Sequence, residues 1–89
     1  MRNPSDTNDE LLIQKMRAGD LDAHEALFMK YKQRIFLEAY MRIQNETKAW
    51  QITLDVCLWL WNNKATILPD QSLKTVLIGE VHKRIPSHS

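Results

Sequence analysis

Few side chains in this sequence stand where they could do covalent chemistry. His24, His82 and His88 are far apart, and none belongs to a metal-ligand spacing, so surface or capping roles suit them better. Cys57 is the only cysteine, which excludes an internal disulfide and a cysteine-held metal. It lies inside the most apolar segment, where a thiol reads as a small hydrophobe rather than a nucleophile. The two glycines form no phosphate-cradling loop. Asp20 and Asp22 read as helix-start residues complementing the macrodipole, not as a pair for acid–base work. The expectation is a protein that is not an enzyme and has no metal site or cofactor.

The residues that ask for a partner are of other kinds. Trp50, Trp59 and Trp61 share one segment, more aromatic surface than a core this small needs on one helix. One or two belong to the core and at least one is a candidate contact anchor. Net charge is +1, which by itself says nothing about nucleic acid. Its distribution says more: residues 1–29 carry three basic and six acidic side chains (−3), and residues 30–89 carry nine and five (+4). An anionic partner would meet the second part. Lys30, Lys32 and Arg34 read as the solvated face of a long helix, and Lys83-Arg84 as favourable charge at a helix C-terminus.

Four helices would position these groups. With 89 residues there is room for one domain, and 44% hydrophobic with 26% charged content is that of an ordinary globular chain. Met1 to Asp6 reads as a polar, frayed N-terminus, and residues 1–8 precede the domain proper. Thr7 and Glu10 form a capping-box pattern for a helix from about Asn8 to Ala18, with Leu11, Leu12, Lys15 and Met16 on its inner side. Gly19 stops it and Asp20 caps the next. Ala23, Leu27, Tyr31, Ile35, Ala39 and Ile43 recur every four residues along a second helix over 21–43. Asn45 or Thr47 caps a third, about Glu46 to Asn63, whose core stripe is Ala49, Ile52, Val56 and Leu60. Trp50, Leu54, Leu58, Trp59 and Trp61 put apolar surface elsewhere around that cylinder, with Asp55 the sole charge from Ala49 to Asn63. Such a helix needs a second partner. After a loop over Lys64 to Pro69, Asp70 is a candidate cap for a fourth helix, about Gln71 to Arg84. Leu73, Val76, Leu77, Val81 and Ile85 face its core, Pro86 prevents its extension, and residues 86–89 are a tail. The fold class is all-α, a compact bundle of about four helices over residues 9–85. No signal-peptide pattern opens the chain and its most apolar stretch is too short to span a bilayer, so the expected location is cytoplasmic with no membrane partner.

These residues resemble a known pattern. Glu10-Leu11-Leu12, Met16-Arg17-Ala18-Gly19-Asp20 and Ala23-His24-Glu25-Ala26-Leu27-Phe28 look like the opening of extracytoplasmic-function sigma factors, continued by Tyr31, Arg34, Ile35 and Phe36. Leu58-Trp59-Leu60-Trp61-Asn62-Asn63 is similar to the Leu-Trp ending of that family's polymerase-binding helix. Ser72-Leu73-Lys74 through Leu77 is similar to the start of its promoter-recognition helix. The matches run in order from about Asp9 to Ile85, the family's second conserved region.

The resemblance implies a transcription-initiation domain that binds the β′ clamp helices of RNA polymerase core and the minus-ten element of promoter DNA. It implies a polymerase face at Gln51, Asp55 and Leu58, with Trp59 beside them. Asn62, Asn63 and Lys64 would lie near the unpaired strand, and Lys74, His82, Lys83 and Arg84 would face promoter DNA. Cations would fix the phosphates while a loop pocket takes an unstacked base. An anti-sigma factor is a further implied partner. The family's polymerase-binding helix is usually acidic, whereas Ala49 to Cys57 keeps only Asp55, and Trp50 stands where an acid is usual. That difference favours a second reading, a sigma-like interaction module that uses Trp50 and Leu54 to bind a regulator or a second copy of itself, without promoter activity.

Overall fold

The four-residue recurrence along α2 (Leu21–Ile43) makes it the central helix, in contact with α1 (Pro4–Arg17), α3 (Glu46–Asn62) and α4 (Leu73–Arg84). The computed structural model describes residues 4–69 and 71–85, with side chains from Asp9 onward. Among the described residues the secondary structure is four α-helices and a single 3-10 turn, η1 (Lys64–Thr66), with no strand. The chain is an all-α bundle. None of these helices is long and apolar enough to cross a membrane.

Each helix begins and ends for a local reason. The Asp20 carboxylate accepts from the backbone N–H groups of Asp22 and Ala23, which fixes the start of α2. Gln44 closes α2 in the left-handed conformation, with φ 57°, and its N–H bonds to the Tyr40 carbonyl. Asn45 then accepts from Lys48 N–H and starts α3. At α4 the cap is Ser72, which accepts from Thr75 N–H. Asp70, expected in that role, lies outside the described residues, as does the tail 86–89. The helix starts at Leu73, two residues later than the sequence suggested.

α1 corrects the sequence reading at its start. The backbone is helical from Pro4, so Thr7 and Glu10 stand inside the helix rather than at its boundary. Proline suits a first helical turn, where its missing N–H would have had no partner. The inner face also differs: Ile13 and Met16 are fully buried, Leu12 packs against them, and Leu11 and Lys15 point outward.

The core gathers Ile13 and Met16 of α1, Ala23, Leu27, Ile35 and Ala39 of α2, Ala49, Ile52, Val56 and Leu60 of α3, and Leu73, Leu77 and Val81 of α4. Ile67, read from sequence as plain loop, plugs it from the segment after η1 and is 2% exposed. Arg17 reaches across to donate to the Ile67 carbonyl at 3.0 Å, which ties the end of α1 to that segment. A fully buried side chain of this size stabilises by about 1.5–3 kcal/mol. Thr53, buried in α3, donates its hydroxyl to the Ala49 carbonyl at 2.8 Å.

Candidate functional site

The outer surface of α3 carries the candidate protein-binding face. Its core stripe points into the bundle, which turns Trp50, Leu54 and Leu58, spaced by four, toward solvent. They are 36%, 60% and 59% exposed. Gln51 and Asp55 are exposed along the same helix. Trp50 is held rather than loose: its ring stacks on Phe36 of α2 at 4.2 Å between centroids, and Phe36 in turn stacks on Tyr40 at 5.7 Å. The exposed apolar surface therefore starts from an aromatic ladder on α2 and runs along α3. Trp59, which the resemblance put beside that face, is half-buried and packs against the core. At this point in the helix it falls toward the inner side, a turn and a half from Leu54.

Trp61 is also half-buried against the core. The edge of its ring meets His24 at 5.3 Å, and His24 Nε2 lies 2.9 Å from the Cys57 carbonyl oxygen. His24, Cys57 and Trp61 thus form a packing clasp between the start of α2 and the end of α3. Desolvation pushes the Cys57 thiol upward, away from the thiolate a nucleophile needs. Among the described residues no group of three histidine, cysteine, aspartate or glutamate side chains could hold a metal ion.

Beside the outer face of α3, a groove of about 350 Å³ opens between the end of α2, α3 and the end of α4. Ile43 and Ile52 supply apolar wall, and Lys48, Gln51, Asp55 and Arg84 supply polar groups. It joins Gln51 and Asp55 to Arg84, two sets of residues that the sequence assigned to different partners.

The residues expected near DNA are placed less uniformly. Asn62 is exposed, while the Asn63 side chain donates to the Trp59 carbonyl at 2.9 Å and ends α3. The Lys64 ammonium sits 4.0 Å from the centroid of the Trp61 ring, a cation–π contact. Lys74 is exposed on the first turn of α4, far along the helix from His82, Lys83 and Arg84 at its end. Those three are engaged: Lys83 and Arg84 pair with Glu80, and His82 with Glu38.

Three acids that pair within the bundle were not legible from the sequence. Asp9 is 7% exposed, pairs with Lys30 at 2.6 Å and accepts from the Tyr31 hydroxyl, clasping α1 to α2. Glu80 is buried although it follows a glycine among charged neighbours. Glu38 links α2 to α4. A carboxylate three or four residues before a cation is the signal for Glu80 and for Glu38 with Arg42, but that pattern reads equally as solvated helix surface.

Comparison of the chain with models of known families, with curated proteins and with solved structures finds no match.

Proposed function

We propose that the chain is a transcription-initiation domain of the sigma factor region 2 kind, docking through α3 on the β′ clamp helices of RNA polymerase and meeting minus-ten promoter DNA beyond it. The observation that carries this reading is the outward row Trp50, Leu54 and Leu58, with Gln51 and Asp55 exposed beside it. An apolar row on a helix, anchored by a stacked tryptophan and edged by one carboxylate, suits a helical partner that offers an apolar seam and a basic residue. Exposed Asn62 and Lys74 are the groups free to meet DNA, followed by Lys64 once it leaves the Trp61 ring.

Binding to a fragment containing the β′ clamp helices is the test. The expected result is a complex that Leu54→Glu with Leu58→Glu abolishes and Asp55→Ala weakens. No complex with the intact protein would refute the reading.

A second reading is favoured by a specific observation: the basic end of α4 is engaged within the chain, by Glu38 and Glu80, while the α3 row is open. On that reading the same row binds a second copy or a regulator such as an anti-sigma factor, and the domain has no promoter activity. Sedimentation of the protein alone distinguishes the copy. A concentration-dependent dimer lost in the Leu54→Glu, Leu58→Glu variant, together with no clamp-helix binding, would establish this reading over the first.

A further inference from the structure

Four basic side chains converge where α4 and α2 end: His82, Lys83 and Arg84 from the last turn of α4, and Arg42 from the last turn of α2. Every one of them meets a carboxylate. The two oxygens of Glu80 are divided between Lys83 Nζ at 2.9 Å and Arg84 Nη1 at 2.8 Å. Arg84 Nη1 also donates to the Glu80 carbonyl at 2.9 Å, which folds the guanidinium back onto its own turn. His82 Nε2 and Arg42 Nε share a single Glu38 oxygen, at 2.7 and 3.0 Å.

These are not casual surface pairs on both sides. The Glu80 side chain is 9% exposed and that of Lys83 is 73% exposed, so the carboxylate sits inside and the cation closes over it. Burial raises the free energy of an unpaired carboxylate, which favours keeping both cations on it. Lys83, Arg84 and Arg42 bring three full positive charges and Glu38 with Glu80 remove two, leaving +1. A phosphate approaching this end meets cations whose charge is partly offset by the two carboxylates and some of whose N–H donors are already engaged.

We propose that Glu80 and Glu38 stand in for phosphate at the basic end of α4, an autoinhibitory contact that keeps the free domain a weak nucleic-acid binder until those cations are released. The proposal rests on the reading of α4 as facing DNA. The groove described above puts Arg84 beside Gln51 and Asp55, so a partner docked on α3 lies within reach of the masked end.

Binding of a short fluorescent single-stranded DNA, followed by anisotropy across a range of salt, tests the mask. In the otherwise native protein, Lys83→Gln with Arg84→Gln should cost less affinity than in the Glu80→Gln background, because Glu80 already offsets one of these two charges. Glu80→Gln should tighten binding about tenfold at low salt and steepen the salt slope by about 0.7, the value for one added phosphate contact on a single strand. The same Lys83→Gln, Arg84→Gln pair placed in the Glu80→Gln background should then abolish the gain, a coupling that a merely structural role for Glu80 would not give. Glu38→Gln, at a more exposed carboxylate, should produce a smaller gain that Arg42→Gln removes, and it serves if Glu80→Gln fails to fold by circular dichroism. The proposal is overturned if the native protein loses as much affinity on removal of Lys83 and Arg84 as the Glu80→Gln variant does, or if neither glutamate variant binds more tightly. Binding that depends on Lys74 but ignores both glutamate changes would sink the mask and spare the DNA reading. A gain on Glu80→Gln with no effect of Lys74→Gln or Asn62→Ala would support the mask and count against the promoter-facing assignment.

Discussion

Phe36 on α2 and Trp50 on α3 stack with ring centroids 4.2 Å apart and planes inclined by 27°. This contact makes Trp50 serve two ends at once, since one side of the indole holds α3 against α2 and the rest faces solvent. Leu54 and Leu58 have no such inward duty and are more exposed. Stability and partner binding should therefore separate along a single helix.

Trp50→Ala is expected to cost about 0.5–1.5 kcal/mol from the lost aromatic pair, plus the buried part of the ring. Leu54→Glu and Leu58→Glu should each stay within about 0.5 kcal/mol of the native protein, as outward substitutions do. Urea unfolding of the three variants measures this. Equal destabilisation by all three would show that the row is internal packing and not a docking face.

Asp9 ties α1 to α2. It is nearly buried, with the Lys30 ammonium at 2.6 Å and the Tyr31 hydroxyl donating to its other oxygen. Asp9→Ala removes an acceptor shared by two donors and should cost about 1–3 kcal/mol. Asp9→Asn preserves the shape but not the charge and should cost less. The loss should appear first as faster amide exchange along α1, whose other ties to the bundle include Leu12, Ile13, Met16 and Arg17. If Asp9→Ala unfolds at the native urea midpoint, the clasp contributes nothing.

The architecture was readable where one signal had one meaning. The period-four stripe gave α2 its observed bounds, Leu21–Ile43, and Asn45 has the side chain to accept an N–H at the start of α3. Misreadings arose where one residue type has two uses. Glu80 next to Lys83 and Arg84 is the usual look of a solvated helix face, and only the packing of α4 on α2 and α3 buries it. Ile67 is a lone apolar residue in a loop, without periodicity to mark it as core. Trp59 sits in an apolar run on a helix greasy all round, where spacing alone does not tell which tryptophan points inward. The outward row on α3 was visible in the sequence as a surplus of apolar surface, whereas the pairing of the basic end of α4 is a tertiary fact, because Glu38 is 44 residues from His82.

Two backbone positions leave stability unused. Gly79 lies within α4, with no atom within 4 Å of where a methyl would stand, so Gly79→Ala should stabilise by about 0.5–1 kcal/mol. Gln44 holds φ 57°, a conformation that disfavours a side chain, and Gln44→Gly should gain a similar amount, about 0.5–1 kcal/mol. Thermal unfolding should show each as a rise of a few degrees, about 4–8 °C per kcal/mol for a domain of this size. A fall in midpoint for Gly79→Ala would mean that the helix face at that position is not free.

Acid should weaken the bundle through the pairs at the end of α4. Hydrogen bonds from His82 and then Arg42 hold Glu38 below the ordinary carboxylate value of 4.5. For Glu80, desolvation pushes upward, but the hydrogen bonds from Arg84 and Lys83 outweigh it and the group is lowered as well. A carboxylate that binds its proton less readily when folded than when unfolded adds stability above its unfolded value, and that stability is lost as pH falls through the lower, folded value. The contribution should thus be fully present at neutral pH and disappear progressively below about pH 4.5. Urea midpoints measured from neutral to acid pH should fall less steeply for the Glu38→Gln, Glu80→Gln double variant than for the native protein. Parallel acid slopes would show that these carboxylates gain nothing from their cations on folding, and the mask at the end of α4 would lose its energetic basis along with them.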